Sequence, residues 1–161
     1  VFMNNKSFTL KFIGNATNKG SMRNDIDVSF ESMNETFKLA TDEGAFHGGK
    51  GTAPPPLALF TASLCGCIMT QIKAFGKKLK IEVNEIEIDA SMEWQGEVLE
   101  EGPYKASCDG YNLDIDIISE EPIERKKKLL EAAINGCFIE ASLKPGIVKH
   151  RLKYKENWIS V

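Results

Sequence analysis

The residues best equipped for chemistry in this 161-residue chain are its four cysteines, Cys65, Cys67, Cys108 and Cys137. Two of them stand one residue apart in LFTASLCGCIMTQIKAF, residues 59–75, a stretch otherwise apolar enough for a core. On a helix, residues two apart point about 200° away from each other, so Cys65 and Cys67 cannot ligate one ion together. Structural zinc sites use two to four intervening residues and a second pair, and neither is present here. The chain has only two histidines, His47 and His150. No metal and no cofactor are expected.

Free cysteine also packs as a small hydrophobe. That reading suits Cys65 and also Cys108, which lies in a polar stretch before a strand. Cys67 and Cys137 each fall on the apolar stripe of a different helix, and such stripes usually face each other. Two thiols there would come within disulfide distance if their Cα atoms approached closer than roughly 7 Å. A buried thiol is a poor nucleophile, and Cys67 lies beyond the reach of the helix dipole. A working Cys67 therefore needs a cation from elsewhere, and Arg23 in the first hairpin loop is the better candidate beside Lys19.

The elements that must position these groups follow from periodicity. Phe8, Leu10 and Phe12 alternate with polar residues, as do Ile26, Val28 and Phe30, and then Phe37 and Leu39. Three half-buried strands are expected, with Gly14-Asn15 and Asn18-Lys19-Gly20-Ser21 turning the chain between the first two. A flexible glycine-rich loop, residues 43–52, leads to Pro54-Pro55-Pro56 and a helix from Pro56 to Lys78. Its centre is apolar all round, which predicts burial on every side. Strands follow at Ile86–Trp94 and Leu113–Ile117, with Gly102-Pro103 between them. A helix opened by residues 119–122 carries Ile123, Leu130, Ala133, Ile134, Cys137, Phe138 and Ala141 as its stripe and stops at Lys144-Pro145-Gly146. The final strand alternates Val148, His150, Leu152 and Tyr154 with a basic row that would suit the acidic rows of the middle strands. The order βββ–α–ββ–α–β gives an α+β class with mainly antiparallel sheets in one domain, 1–161.

Composition narrows the function. Hydrophobic residues make up 42% and charged residues 27%, and the net charge is −3. These values favour an ordinary globular protein and argue against nucleic acid or an anionic membrane as partner. The run Lys126-Lys127-Lys128 reads as a solvated helix face. Lys6 and Lys11 interrupt the N-terminal apolar residues, so no secretory signal is expected, and Met3 is a candidate start behind Val1. The apolar run Leu57–Met69 falls short of the roughly 20 residues a bilayer requires. Sparse cysteines suit a reducing cytoplasm.

Pro56-Leu-Ala-Leu-Phe-Thr-Ala-Ser-Leu-Cys-Gly-Cys67, with Cys137 in a second helix seventy residues later, resembles the OsmC/Ohr family of osmotically inducible and organic-hydroperoxide-resistance proteins. The likeness extends over nearly the whole chain. It implies an intertwined α+β homodimer with active sites at the subunit interface, and thiol-dependent reduction of hydroperoxides, recycled by an external dithiol. Cys67 then matches the peroxide-attacking cysteine, Cys137 the resolving cysteine, and Cys65 is a bystander. The family also uses an arginine from the N-terminal hairpins, which Arg23 would match, held by a glutamate directly after the helix-start proline. Leu57 stands at that position.

The residues after the second cysteine, Cys137-Phe138-Ile139-Glu140, also depart from the family's Cys-Pro pattern. Glu140 is expected to face solvent, with replacement of the missing carboxylate as the alternative. His47 is expected to be ordinary surface, and the neighbouring glycines a weak candidate anion cradle. Beside the peroxidase stand a non-catalytic OsmC-like protein that binds a small molecule or senses redox state, and other thiol chemistry such as acyl transfer or electrophile detoxification.

Overall fold

The computed structural model describes residues 7–161; the candidate start Met3 and Lys6 lie outside them. The chain divides into two compact units, residues 1–59 and 60–161, with the boundary inside the first turn of the long helix.

The first unit is an antiparallel sheet of β1 (Phe12–Asn18), β2 (Asn24–Phe30) and β3 (Glu35–Thr41), in that order. The first strand begins where the sequence reading ended it, and Gly14 and Asn15 lie inside β1 rather than in a turn. The turn forms instead around Asn18. Its side-chain amide donates to the carbonyls of Ser21 (2.6 Å) and Arg23 (3.1 Å), while its oxygen accepts from the Gly20 N–H (2.8 Å). An Asx-type lock of that kind outcompetes the glycine upstream.

The glycine-rich loop is not a loose tether. Asp42 is buried, and its carboxylate accepts from the N–H of Glu43 (2.8 Å), the N–H of Thr52 (2.9 Å) and the Thr52 hydroxyl (2.7 Å). One carboxylate thus fastens both ends of the loop. Gly49 is required at its crossing point, because a Cβ there would lie 1.8 Å from the Glu43 carbonyl oxygen.

The second unit holds a four-stranded sheet in the order β4 (Glu85–Glu97), β5 (Lys105–Ile118), β6 (Val148–Tyr154) and β7 (Asn157–Ser160). β5 and β6 run parallel and the other pairs antiparallel. The final segment thus forms two strands rather than one. The expected pairing of basic and acidic rows is present: Arg151 lies opposite Asp114 and bonds it with two guanidinium nitrogens, and Lys153 reaches Asp116 at 2.9 Å. β5 is longer than expected, and Cys108 lies inside it. A bulge opposite Glu93 and Trp94 re-phases the strand, so Cys108 and Tyr111 both contribute to the inner side.

The long helix α1 spans Pro56–Leu79, one residue beyond expectation. Within the second unit it presents Leu64, Ile68, Ile72 and Gly76 as one buried row, at helical spacing of four. These close over the inward row Tyr111, Leu113, Ile115 and Ile117, together with Leu129, Leu130, Ala133 and Leu152. Expected burial on every side is not met within the chain, since Ala62, Ser63, Gly66 and Thr70 are exposed. The apolar run also extends further than its first half suggested. By length and composition the 24-residue helix could cross a bilayer, and within the chain only the row Leu64, Ile68, Ile72 and Gly76 of it is fully buried.

The second helical segment is two helices, α2 (Ile123–Asn135) and α3 (Phe138–Ala141), and not one continuous stripe. Gly136 ends α2, and Cys137 is extended (φ −80°, ψ 107°) as the N-cap of α3. Phe138 and Ala141 therefore turn outward, whereas Cys137 remains fully buried.

Truncating the central contact of α1, Ile68→Ala, is expected to cost about 2–5 kcal/mol through lost transfer energy and a residual cavity. It should appear as a lower urea midpoint with an unchanged slope.

Candidate active site

Cys67 and Cys137 meet in the second unit. Cys67 is half-buried on α1, Cys137 sits at the α2–α3 junction, and both are free thiols, with Cys67 near enough to help push the Cys137 thiol up. Beside Cys137, a Cβ at Gly136 would lie 2.5 Å from the Phe75 ring of α1, so a larger residue there requires that ring to shift.

The two thiols are unequal in setting. Desolvation, foremost, and the neighbouring Cys67 push the Cys137 thiol up to about 12, while the N–H of Glu140, which donates to its sulfur at 3.4 Å, works the other way. Cys65 is also pushed up, by burial. It is half-buried against the core, as a packing residue would be. Cys108 hydrogen-bonds Tyr111, whose hydroxyl is raised chiefly by that bond, and Tyr111 joins Phe60 and Trp94 in a cluster with centroids 5.6–6.0 Å apart.

Arg23 belongs to the first unit. Its Nε donates to Asp25 at 3.0 Å, and Nη1 donates to the Thr52 carbonyl (3.2 Å) and hydroxyl (3.0 Å). Through Thr52 the guanidinium is tied to Asp42, whose carboxyl is held below its usual value first by the Thr52 N–H. Sequence reasoning singled out Arg23 as a candidate but not its partners Asp25, Thr52 and Asp42. Asp25 carries a local signal, because residues two apart on a strand share a face. Nothing local pairs Asp42 with Thr52.

Glu140 departs from expectation. It turns inward, and its Oε2 lies 3.1 Å from Nε2 of His150, whose side chain is 5% exposed. The signal available in the sequence was His150 itself, standing between Val148 and Leu152 on the inward row of β6. His47 is exposed and lies 3.5 Å from Glu43. The glycine-loop N–H groups bond within the loop, Gly48 to Ala45, Gly49 to Gly44 and Gly51 to Glu43, which leaves little cradle for an anion. Among the described residues no three or more His, Cys, Asp or Glu side chains gather as a metal site.

The raised Cys137 thiol carries a pH signature. Its folded value of about 12 exceeds the usual 9.0, so the unfolded chain releases this proton first. The stabilising contribution is complete below 9 and is lost as pH rises toward 12. The stability difference between the wild type and Cys137→Ala should therefore shift against the wild type over that window, measured by urea unfolding at stepped pH.

Comparison with known proteins places this arrangement. No curated protein matches the chain. Among solved structures, an OsmC-like hydroperoxide resistance protein from Jannaschia sp. CCS1 is 40% identical, with 94% of this chain and 98% of that one covered and a TM-score of 0.54. An organic hydroperoxide resistance protein OsmC from Legionella pneumophila is 20% identical over 91% and 97% of the two chains, TM-score 0.62. OhrB of Bacillus subtilis is 22% identical over 91% and 98%, TM-score 0.52. These last two share the fold. The family model described as OsmC-like protein matches residues 49–151, which include the end of the glycine-rich loop, Cys67 and Cys137. The chain belongs to the OsmC-like protein family.

Proposed function

We propose that the protein is a cysteine-based peroxidase that reduces small organic hydroperoxides. The observation that carries this reading is the closeness of Cys67 and Cys137, two free thiols on separate segments that influence each other. In the proposed cycle the Cys67 thiolate attacks one peroxide oxygen. The O–O bond breaks, the alcohol leaves with a proton, and Cys67 becomes a sulfenic acid. Cys137 then gives up its proton and attacks the Cys67 sulfur; the S–O bond breaks and water leaves. An external dithiol reduces the disulfide and is itself oxidised. Cys65, raised by burial, takes no part.

Arg23 is the cation assigned to favour the thiolate and orient the peroxide. Asp25 and Thr52 hold it, which answers the departure at Leu57 without requiring Glu140 to serve there. The site is assigned to a homodimer. Support comes from the apolar surface the chain leaves open: Phe12, Phe37 and Leu39 on the first sheet and the outer sides of α1. A cytoplasmic, reducing setting fits a cycle that returns both cysteines to thiols. Relatives named for hydroperoxide resistance support the substrate class.

Leu57 favours one competing reading, a non-catalytic member that binds a small molecule or senses redox state. One titration with cumene hydroperoxide separates the two. The peroxidase should lose two thiols rapidly and yield a Cys67–Cys137 disulfide by mass spectrometry. Cys67→Ser should abolish the rapid loss, and Cys137→Ser should stop at a trappable sulfenic acid. Arg23→Ala should slow the first step by about 100-fold or more, in the range seen for misplaced or missing charge-stabilising groups. Slow oxidation of all four cysteines alike, or a fully active Cys67→Ser protein, would replace this reading with the binding one. Light scattering should give twice the 17.9 kDa chain mass, and a monomer at micromolar concentration would remove the shared-site assignment.

A further inference from the structure

We propose that the buried Glu140–His150 pair is a positioning device for the resolving cysteine, holding the α2–α3 junction so that the Cys137 sulfur stays aimed at Cys67. The role assigned to Cys137 is the one given above, and the inference rests on it. Three contacts form the chain of control. His150 stands on β6, where its neighbours on the inward row are Val148 and Leu152 and its carbonyl accepts from the N–H of Val161 at 3.1 Å. Its Nε2 meets Glu140 Oε2 at 3.1 Å. The backbone N–H of the same Glu140 donates to Cys137 Sγ at 3.4 Å.

Apolar packing holds the junction against the core, and the Glu140–His150 contact adds a directional tie to it. Cys137 is extended, and α3 is only the four residues Phe138–Ala141, too short to hold its own shape. Phe138 is exposed, whereas Ile139 and Leu143 pack against the core. The carboxylate of Glu140 adds a polar tie from this turn to β6 through His150. A carboxylate and an imidazole this well buried would be costly if left unpaired, so the pair resists opening. A group held at one end by its side chain presents its N–H at the other end in one direction, toward the sulfur.

That direction has chemical use at the second step. Condensation requires Cys137 to shed its proton as the S–S bond forms, and the Glu140 N–H donates to the charge that develops on sulfur. The sulfenic oxygen leaves Cys67 with that proton as water. Nothing in this step calls on Glu140 or His150 to exchange a proton, so both are positioning residues.

Two measurements on the full-length protein test the assignment. In single-turnover oxidation with cumene hydroperoxide, Glu140→Ala should consume the Cys67 thiol at the wild-type rate. It should also accumulate dimedone-trapped sulfenic acid and form the disulfide about tenfold more slowly or worse. Glu140→Gln, whose amide oxygen still accepts from the His150 Nε2–H, should restore most of the rate; His150→Leu should repeat the defect and replaces Glu140→Ala if that variant does not fold.

The second measurement needs no peroxide. In glutathione buffers two protein thiols are oxidised as one glutathione disulfide is reduced to two thiols, and the equilibrium for Cys67–Cys137 should move about tenfold toward the dithiol in Glu140→Ala and His150→Leu, with Glu140→Gln close to wild type. Wild-type disulfide rates and equilibria in both variants would overturn the inference and leave the peroxidase reading standing. If the wild type forms no sulfenic acid, the peroxidase reading falls, and the glutathione equilibrium alone decides the inference. A defect that Glu140→Gln shares in full would also overturn it.

Discussion

The packing of α1 against the end of α2 is the constraint on which the thiol pair depends. At Gly136 the Phe75 ring lies where a Cβ would stand, and the next residue is the buried Cys137. Ending a helix at a glycine and turning the following residue into the core places its sulfur against the neighbouring helix without asking either helix to bend. The row Leu64, Ile68, Ile72 and Gly76 sets the rotation of α1 over the sheet and so decides which way Cys67 points. Apolar burial of that row is worth about 1.5–3 kcal/mol for each large side chain, far more than the thiol contact itself. The placing of the two thiols follows from core packing.

The first unit solves a different problem with polar means. Asp42 draws three donors onto one carboxylate and turns a loop rich in glycine into a fixed platform. Thr52 is the hinge of that arrangement, since its hydroxyl donates to Asp42 and accepts from Arg23. A guanidinium held by Asp25 on one edge and Thr52 on another loses much of its rotamer freedom. Surface ion pairs alone are weak, and the order here comes from their attachment to a buried carboxylate.

Much of this was legible in the sequence, for reasons that differ by element. Alternation located β2, β3, β4 and β6, and the prolines fixed the start of α1 at Pro56. The cysteine helices carried the family likeness. Periodicity misled where a single residue reset the phase. The bulge turned Cys108 to the inner side of β5, and Gly136 broke a helix whose apolar stripe read as continuous through Ala141. The expected all-round burial of α1 failed within the chain because composition records what must be covered, not which chain covers it. Glu140 misled because charge at a helical position suggests solvent, while its partner His150 lies on a strand ten residues away.

The parallel pairing of β5 with β6 has a temporal consequence. Parallel neighbours require a crossover, and here the crossover is the α2–α3 segment that carries Cys137. Contacts between distant parts of a chain close slowly, because the entropy of the intervening loop must be overcome first. Until β6 docks, Cys137 lacks both the covering core and the anchor from His150, and its thiol ionises at the ordinary value of an exposed cysteine. Oxidants and alkylating agents therefore find it most readily during synthesis and refolding, before the finished structure has hidden it.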